Sequence, residues 1–345
     1  MLKIYSGNRS IIWKDALENM LKALQKSFEF KSIFGQTAEE VVNNVDLSNK
    51  TCLITGASSG IGLEIARCLN SRDCNLLMAS RNVYKANLLA NKTCLNNQRI
   101  RHYQINLASL ASVRQCAQEI IENESQIDIV ILNAATFGIP WTVTKDGLET
   151  TFQVNFLSQY YLLLCLGKML APDARVVFTS SESHRNIKWP EKNRFNPVFE
   201  NLSLLKHEYT SIKSYNISKL CCLLLMHYLS YQWSNSERSF LCAHPGSFIK
   251  TGLCRNWWPY EALYTIMLPF SKSIMQGAST ILYCATSPNL KGATGMYFSN
   301  CNHCNESDLA KDIYFSFRIH DLILDILRDR VQDLDKLTKE LRVNK

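Results

Sequence analysis

The sequence predicts an α/β fold: one doubly wound parallel sheet in a single domain. Three observations carry that reading. Strand-like and helix-like runs alternate through most of the 345 residues. The strand-like runs are apolar on both faces, as strands covered by helices on two sides must be. The first of them, 51–54, enters the turn Thr55-Gly56-Ala57-Ser58-Ser59-Gly60-Ile61-Gly62 and then a helical run, 63–69. Strand, glycine-rich turn and helix together are the geometry of a Rossmann fold, which cradles a pyrophosphate.

Composition narrows the class. Hydrophobic residues make up 46% of the chain, enough for a sizeable core. The formal net charge of +8 is spread out, with no run of five basic residues, so no nucleic-acid tail is expected. Seven of the thirteen cysteines, Cys52, Cys68, Cys116, Cys165, Cys221, Cys222 and Cys284, lie inside apolar runs. Buried free thiols look like this, and the odd count argues against a full disulfide set, so a reducing, cytoplasmic compartment is expected. Cys301-Asn302-His303-Cys304 has no second cysteine pair of matching spacing, so no metal is expected. The N-terminus has no apolar signal core, and the most apolar runs, 160–166 and 220–226, are too short to span a bilayer. A soluble protein is expected.

The elements follow in order. Residues 1–45 form an extension; Trp13, Leu17, Leu21, Leu24 and Phe28 recur at helical spacing, so part of it is helical. The fold proper spans 46–305. After the glycine turn, 76–79 reads as a second strand and 102–105 as a third. A helix follows over 109–122, then a strand over 127–132 with β-branched residues on both faces. A long helix covers 147–170 and a fifth strand 175–180. The helix 214–233, a sixth strand at 239–243 and a last strand at 295–298 complete the sheet. From Ser307 onward, within 306–345, the tail is helical and charged toward its end. In such a fold ligands lie at the carboxyl ends of the strands.

Each part of the glycine turn has a physical reason. Gly56 allows a sharp exit from the strand. Gly60 lets backbone N–H groups reach phosphate without a Cβ in the way, and Gly62 lets helix and strand pack closely. The helix N-terminus adds unpaired N–H groups and the positive end of a dipole. Further along, Tyr215 and Lys219 are four residues apart and share a helix face. A cation beside a phenol favours the phenolate, making the tyrosine a usable acid/base near neutral pH. Ser180 and Ser181 end the fifth strand, where a hydroxyl can bond a substrate oxygen. Asn155 is a polar residue in an apolar helical run, able to meet a local backbone need or to hold a proton-relay water. Asn133 ends the fourth strand, where it braces the sheet rather than reacts.

Taken together these residues resemble the short-chain dehydrogenase/reductase family over roughly 46–300. Its Thr-Gly-x-x-x-Gly-x-Gly turn matches 55–62, its Asn-Ala motif 133–135, and its catalytic Asn, Ser, Tyr and Lys match Asn155, Ser181, Tyr215 and Lys219. Its Pro-Gly motif matches Pro245-Gly246, with Thr251 nearby. The resemblance implies a nicotinamide cofactor held by Thr55, Gly56, Ser58, Ser59, Gly60, Ile61, Gly62, Asn106, Leu107, Asn133, Ala134, Tyr215, Lys219, Pro245, Gly246 and Thr251. It implies catalysis by Tyr215, Lys219, Ser181 and Asn155, with Ser181 also touching substrate. Two positions depart from the family: Asn106 stands where Asp often contacts adenine, and Ala135 where the motif usually has Gly. The second strand ends Ala79-Ser80-Arg81-Asn82. An NAD site wants a carboxylate there, whereas Arg81 would attract a 2′-phosphate, so NADP (NADPH) is expected.

The apolar stretch from Trp257 to Phe270 corresponds to the family's substrate lid, which implies a bulky apolar alcohol or carbonyl, steroid- or retinoid-like. The family often dimerises through helices corresponding to 147–170 and 214–233, so a homodimer is an expectation, and the resemblance also allows a nuclear or mitochondrial location. Trp13 is the lone tryptophan of residues 1–45, so no WW module and no binding of proline-rich peptides through one is expected. The rival expectation is a regulator, linked to apoptosis and signalling, that binds cofactor with little turnover.

Overall fold

The computed structural model describes residues 35–94, 96–247, 249 and 271–342. Eight strands form one sheet in the order β3-β2-β1-β4-β5-β6-β7-β8. They are β1 (Thr51–Thr55), β2 (Asn75–Ser80), β3 (Ile100–Gln104), β4 (Ile127–Leu132), β5 (Leu170–Thr179), β6 (Ser239–His244), β7 (Met296–Ser299) and β8 (Asn302–His303). All neighbouring pairs are parallel except β7 and β8. The chain runs outward from β1 to β3, then returns to the far side of β1 with β4. That reversal opens a crevice at the carboxyl ends of β1 and β4, where a doubly wound sheet binds its ligand.

The strand pattern dictates two cores. Leu53, Leu77, Val130, Leu132, Val176 and Phe178 point to one face. There they meet α4 (Leu110–Asn123), α5 (150–165) and α6 (Ser211–Gln232). Cys52, Ile54, Leu76, Met78, Ile129 and Ile131 point to the other. There they meet α1 (Ala38–Val42), α2 (Gly60–Asn70) and α7 (Ile274–Thr286). The period of two along each strand sorts the side chains. Helix α3 (Val83–Thr93) follows β2, its N-terminus capped by Asn82, which accepts from the Lys85 N–H at 2.8 Å.

The C-terminal helices are part of the first core. On α8 (Ile313–Arg328), Phe315, Ile319, Ile323 and Leu327 are buried, as are Leu334, Leu337 and Leu341 on α9 (Leu334–Arg342). The His320 ring stacks on Tyr228 of α6 with centroids 3.5 Å apart and shares a 2.8 Å hydrogen bond with the Tyr160 hydroxyl of α5. Leu341 packs beside Gly167, and Lys168 pairs with Glu340 at 2.7 Å. Helices α8 and α9 thus rest on the two helices for which the family resemblance implies a dimer contact.

Several boundaries differ from the sequence reading. The helix expected over 147–170 is α5, 150–165, broken by a π turn at Gln153–Leu157. The strand expected from 175 begins at Leu170, whose pairing with Ile127 is separated from the rest by an irregularity. Exposed Pro172 and Asp173 mark that irregularity, and in sequence they read as a turn. β5 ends at Thr179, so Ser180 and Ser181 lie just beyond it. Strand β3 begins two residues early, and β8, α3 and α7 are elements the sequence did not single out. The helical spacing at Trp13–Phe28, Thr251 and the stretch 257–270 lie outside the described residues. Ten of the free cysteines are buried, and Cys301 and Cys304 half-buried. Among the described residues no helix is long and apolar enough to cross a membrane, and no three His, Cys, Asp or Glu side chains gather as metal ligands would.

Candidate active site

The glycine turn is shaped by close approach. Gly56 sits at φ +71°, and a Cβ there would lie 2.8 Å from the Ala134 Cα. A Cβ on Gly62 would strike the Gly56 carbonyl oxygen and come within 2.7 Å of the Asn133 amide nitrogen. The turn is therefore packed against the segment after β4 too closely for side chains at Gly56 and Gly62. Ser59 precedes α2, and no side chain caps that helix. Its first N–H groups are left for a ligand, the condition for anion binding at a helix start. Ser58 and Ile61 are half-buried beside the cradle.

Thr55 fastens this turn to the end of β4. Its buried hydroxyl oxygen accepts from the N–H groups of Asn133 at 3.0 Å and Ala134 at 3.1 Å. The Asn133 side chain returns a bond to the Thr55 carbonyl at 3.2 Å. Asn133 and Ala134 thus set the floor of the crevice, as the sequence reading of Asn133 expects.

Just beyond β2 and β3 two polar side chains are open to solvent. Arg81 is exposed and, among the described residues, makes no hydrogen bond or ion pair. Asn106 is exposed; its side-chain oxygen accepts from the Ala108 N–H at 3.1 Å, which leaves its NH₂ to donate. The Leu107 side chain is 7% exposed and packs in the core, so what it can offer a ligand is backbone. Gly246, at the end of β6, has φ +116°, and the Lys272 stem fills the space a Cβ would need.

Across the crevice, α6 brings Tyr215 and Lys219 together. Lys219 is 2% exposed, and its ammonium donates to the Thr179 carbonyl at 2.8 Å while lying 5.4 Å from the Tyr215 ring centroid. Burial lowers the Lys219 pKa below that of an ordinary lysine. The Tyr215 ring is half-buried and stands edge-on to Phe137, centroids 5.1 Å apart. The adjacent serines divide their roles. Ser180 is 1% exposed and its hydroxyl is committed to the Lys219 carbonyl at 2.9 Å. Ser181 is half-buried, and its hydroxyl oxygen accepts from the Ser183 N–H at 3.3 Å, keeping its proton for another partner.

Asn155 sits in the π turn of α5, a distortion frequent at functional sites. Its side-chain oxygen accepts from the Thr136 N–H at 2.7 Å. Its NH₂ donates to the Thr136 carbonyl at 3.0 Å and the Ser218 hydroxyl at 3.1 Å. Ser218 in turn donates to the Tyr215 carbonyl at 2.7 Å. Asn155 and the Tyr-x-x-x-Lys helix are thus joined through Ser218.

Three residues here escaped the sequence reading. Ser218 lies inside the tyrosine–lysine motif and was masked by it. Gln159, a buried amide four residues after Asn155, is visible in sequence only as a polar interruption. His184 has no local signal. Its Nδ1 meets the Ser181 carbonyl at 2.6 Å while its Nε2 accepts from the Ser307 N–H at 3.1 Å. These partners require a neutral ring with the proton on Nδ1. Burial leads the other influences and pushes its pKa down to about 4. His184 thereby ties the Ser181 segment to the start of the C-terminal helices.

The arrangement can bind a dinucleotide at the glycine cradle and present a hydroxyl pair, Tyr215 and Ser181, to a carbonyl or alcohol oxygen. Residues 50–190 match the short chain dehydrogenase family. A WW domain-containing oxidoreductase of Drosophila melanogaster is 38% identical over 300 residues, 86% of this chain and 73% of the fly protein. Retinol dehydrogenase 12 of Mus musculus is 32% identical over 289 residues, 82% of this chain and 88% of its own. A blue fluorescent protein from a metagenomic library, solved in complex with NADPH, superposes with a TM-score of 0.56 at 21% identity, over 74% of this chain and 97% of its own. That last likeness is one of fold. The match over 50–190 and the identity to the first of these relatives over 86% of the chain show that the chain belongs to the short-chain dehydrogenase/reductase family, as a relative of the WW domain-containing oxidoreductases.

Proposed function

We propose that the chain is an NADP-dependent oxidoreductase that interconverts an apolar alcohol and its carbonyl. The observation that carries this reading is the buried Lys219 ammonium beside the Tyr215 ring. The residues present fit the cofactor. Gly56 and Gly62 leave no room for side chains, no side chain caps the start of α2, and exposed Arg81, which follows β2, makes no hydrogen bond or ion pair among the described residues. The bound nicotinamide supplies or accepts the hydride.

The chain's own residues handle the proton and the oxygen. In reduction, the Tyr215 hydroxyl gives its proton to the carbonyl oxygen, and the Ser181 hydroxyl hydrogen-bonds the same atom. The Lys219 charge, held by the Thr179 carbonyl, stabilises the phenolate left behind. Asn155 keeps the helix bearing Tyr215 in register through Ser218. In oxidation each transfer reverses. The apolar composition of residues 257–270 and the likeness to a retinol dehydrogenase favour a steroid- or retinoid-like substrate.

The test is a set of retinoid, steroid and simple aromatic or aliphatic carbonyls with purified protein and NADPH, following loss of absorbance of the reduced nicotinamide. Turnover of an apolar carbonyl supports the reading. Thermal stabilisation by NADPH with no turnover of any alcohol or carbonyl would favour a cofactor-binding regulator instead.

A further inference from the structure

Gln159 is 3% exposed and stands where three parts of the site meet. Its side-chain oxygen accepts from the Thr55 hydroxyl at 2.6 Å. Its NH₂ donates to the Ala134 carbonyl at 3.0 Å and to the Asn155 carbonyl at 2.7 Å. It thus touches the first residue of the glycine turn, the end of β4 and the π turn that carries Asn155.

The direction of each bond is fixed by its neighbours. The Thr55 oxygen already accepts two backbone N–H groups, so its one proton goes to Gln159. The Gln159 nitrogen faces two carbonyls, so it must be the NH₂. The Asn155 oxygen faces the Thr136 N–H, so the Asn155 nitrogen is the group turned toward Ser218. The Ser218 proton points at the Tyr215 carbonyl. The result is two short runs that meet at Asn155: Thr55 to Gln159 to the Asn155 backbone carbonyl, and the Asn155 side chain to Ser218 to the Tyr215 carbonyl. In a dry interior the loss of one link costs the desolvation of the group it leaves behind.

We infer that Gln159 is a positioning residue which couples occupancy of the glycine turn to the conformation of the π turn and, through Asn155 and Ser218, to the helix bearing Tyr215. The inference rests on the cofactor reading above. The Thr55 hydroxyl is already bonded, so a nucleotide that settles on the Thr55–Gly62 turn acts by making openings of that turn rarer. That fixes the Gln159 amide, which supplies the donor for the Asn155 carbonyl. A Gln159 that merely filled space would stabilise the fold without transmitting anything.

Amide hydrogen exchange on the full chain, with and without NADPH, separates these outcomes. In the parent protein NADPH should slow exchange both at 55–62 and at 153–158. In Gln159→Met, an apolar side chain of similar length, slowing at 55–62 should persist while slowing at 153–158 disappears. NADPH affinity should also fall about tenfold, the effect of losing a buried hydrogen-bonded link. If the methionine variant does not fold by its melting curve, Gln159→Glu answers the same question, since it keeps the acceptor for Thr55 and loses both N–H donors. Equal slowing at 153–158 in parent and variant, or none there in the parent while 55–62 responds, would overturn the coupling and leave the cofactor reading intact. If NADPH slows exchange nowhere, the cofactor reading itself falls, and the coupling with it.

Discussion

Asn155 and Arg81 are both polar, and both are assigned to the same site, but they are held in opposite ways. Asn155 is 1% exposed and each side-chain atom has a partner: Thr136 on one side, Ser218 on the other. Arg81 stands in solvent with no partner among the described residues. The same contrast runs through the site. Thr55, Gln159, Asn155 and Ser218 are buried and mutually bonded, while Ser59 and Asn106, expected from the sequence to meet a nucleotide, are exposed. A buried polar network must be complete before any ligand arrives, because an unmade bond there costs the full desolvation of the group. An exposed rim is solvated by water and can wait. The interior therefore sets geometry, and on the function proposed here the rim is where nucleotide preference would be decided.

The largest expected effect tests the interior where it reaches the reacting atoms. Tyr215→Phe removes one oxygen and keeps the ring against Phe137. Carbonyl reduction should fall by about 10²- to 10⁴-fold, the share that general acid catalysis supplies. The melting temperature and NADPH affinity should barely move, because Lys219 keeps its bond to the Thr179 carbonyl. Reduction at the parent rate would refute the assignment of the proton to Tyr215.

The next effect concerns stability, and it asks whether the closed network extends to the C-terminal helices. His184 bridges the Ser181 carbonyl and the Ser307 N–H as a neutral ring, with its pKa near 4 against an ordinary 6.5. The unfolded chain therefore binds a proton more readily than the folded one between those values. Stability from this site is fully present above pH 6.5 and is lost as pH falls toward 4, by about 3 kcal/mol at the acid end. Burial is the largest influence and Arg185 adds to it, while the Ser181 carbonyl, Glu182 and Glu306 favour the protonated ring and are outweighed. Urea unfolding of the parent and of His184→Gln at pH 7 and pH 4 isolates this contribution from the carboxylates that titrate in the same range. Glutamine can offer an N–H to Ser181 and an oxygen to Ser307 without gaining charge. The parent should lose more stability than the variant on acidification, and an equal loss would show that His184 is not the group being protonated.

What was legible in the sequence follows the same division. The sheet could be read because each strand is apolar on both faces, a local pattern that parallel packing imposes. The cradle could be read because Gly56 and Gly62 answer a steric demand no other residue meets. Tyr215 and Lys219 could be read because one helical turn separates them. The closed network could not, because its bonds join residues distant in the chain: Thr55 to Gln159, and His184 to Ser307. Nothing local distinguishes a glutamine that bridges two loops from one that faces water. The start of β5 was missed for another reason: Pro172 and Asp173 are turn-formers by propensity, yet the strand continues past them with an irregular register.

The smallest of these effects lies on the rim. Arg81 follows β2 directly and is free to take a 2′-phosphate, while no acidic side chain is present at Ala79-Ser80-Arg81-Asn82 to hold a ribose hydroxyl. The parent should therefore bind NADPH more tightly than NADH. Arg81→Ala should weaken NADPH by about 1.5–3 kcal/mol, the range for a hydrogen bond to a charged group. NADH, which lacks the phosphate, should be nearly unaffected, so the change appears as a lost preference rather than a general loss. The melting temperature should stay put, since Arg81 is exposed and makes no hydrogen bond or ion pair among the described residues. Because the contact is exposed, raising the salt concentration should shrink the parent's preference, whereas it should leave the Tyr215→Phe defect unchanged. Fluorescence titration of both nucleotides at two ionic strengths measures all of this. Equal affinity of the parent for NADPH and NADH would mean that the rim does not select the phosphate, and that cofactor choice lies elsewhere in the crevice.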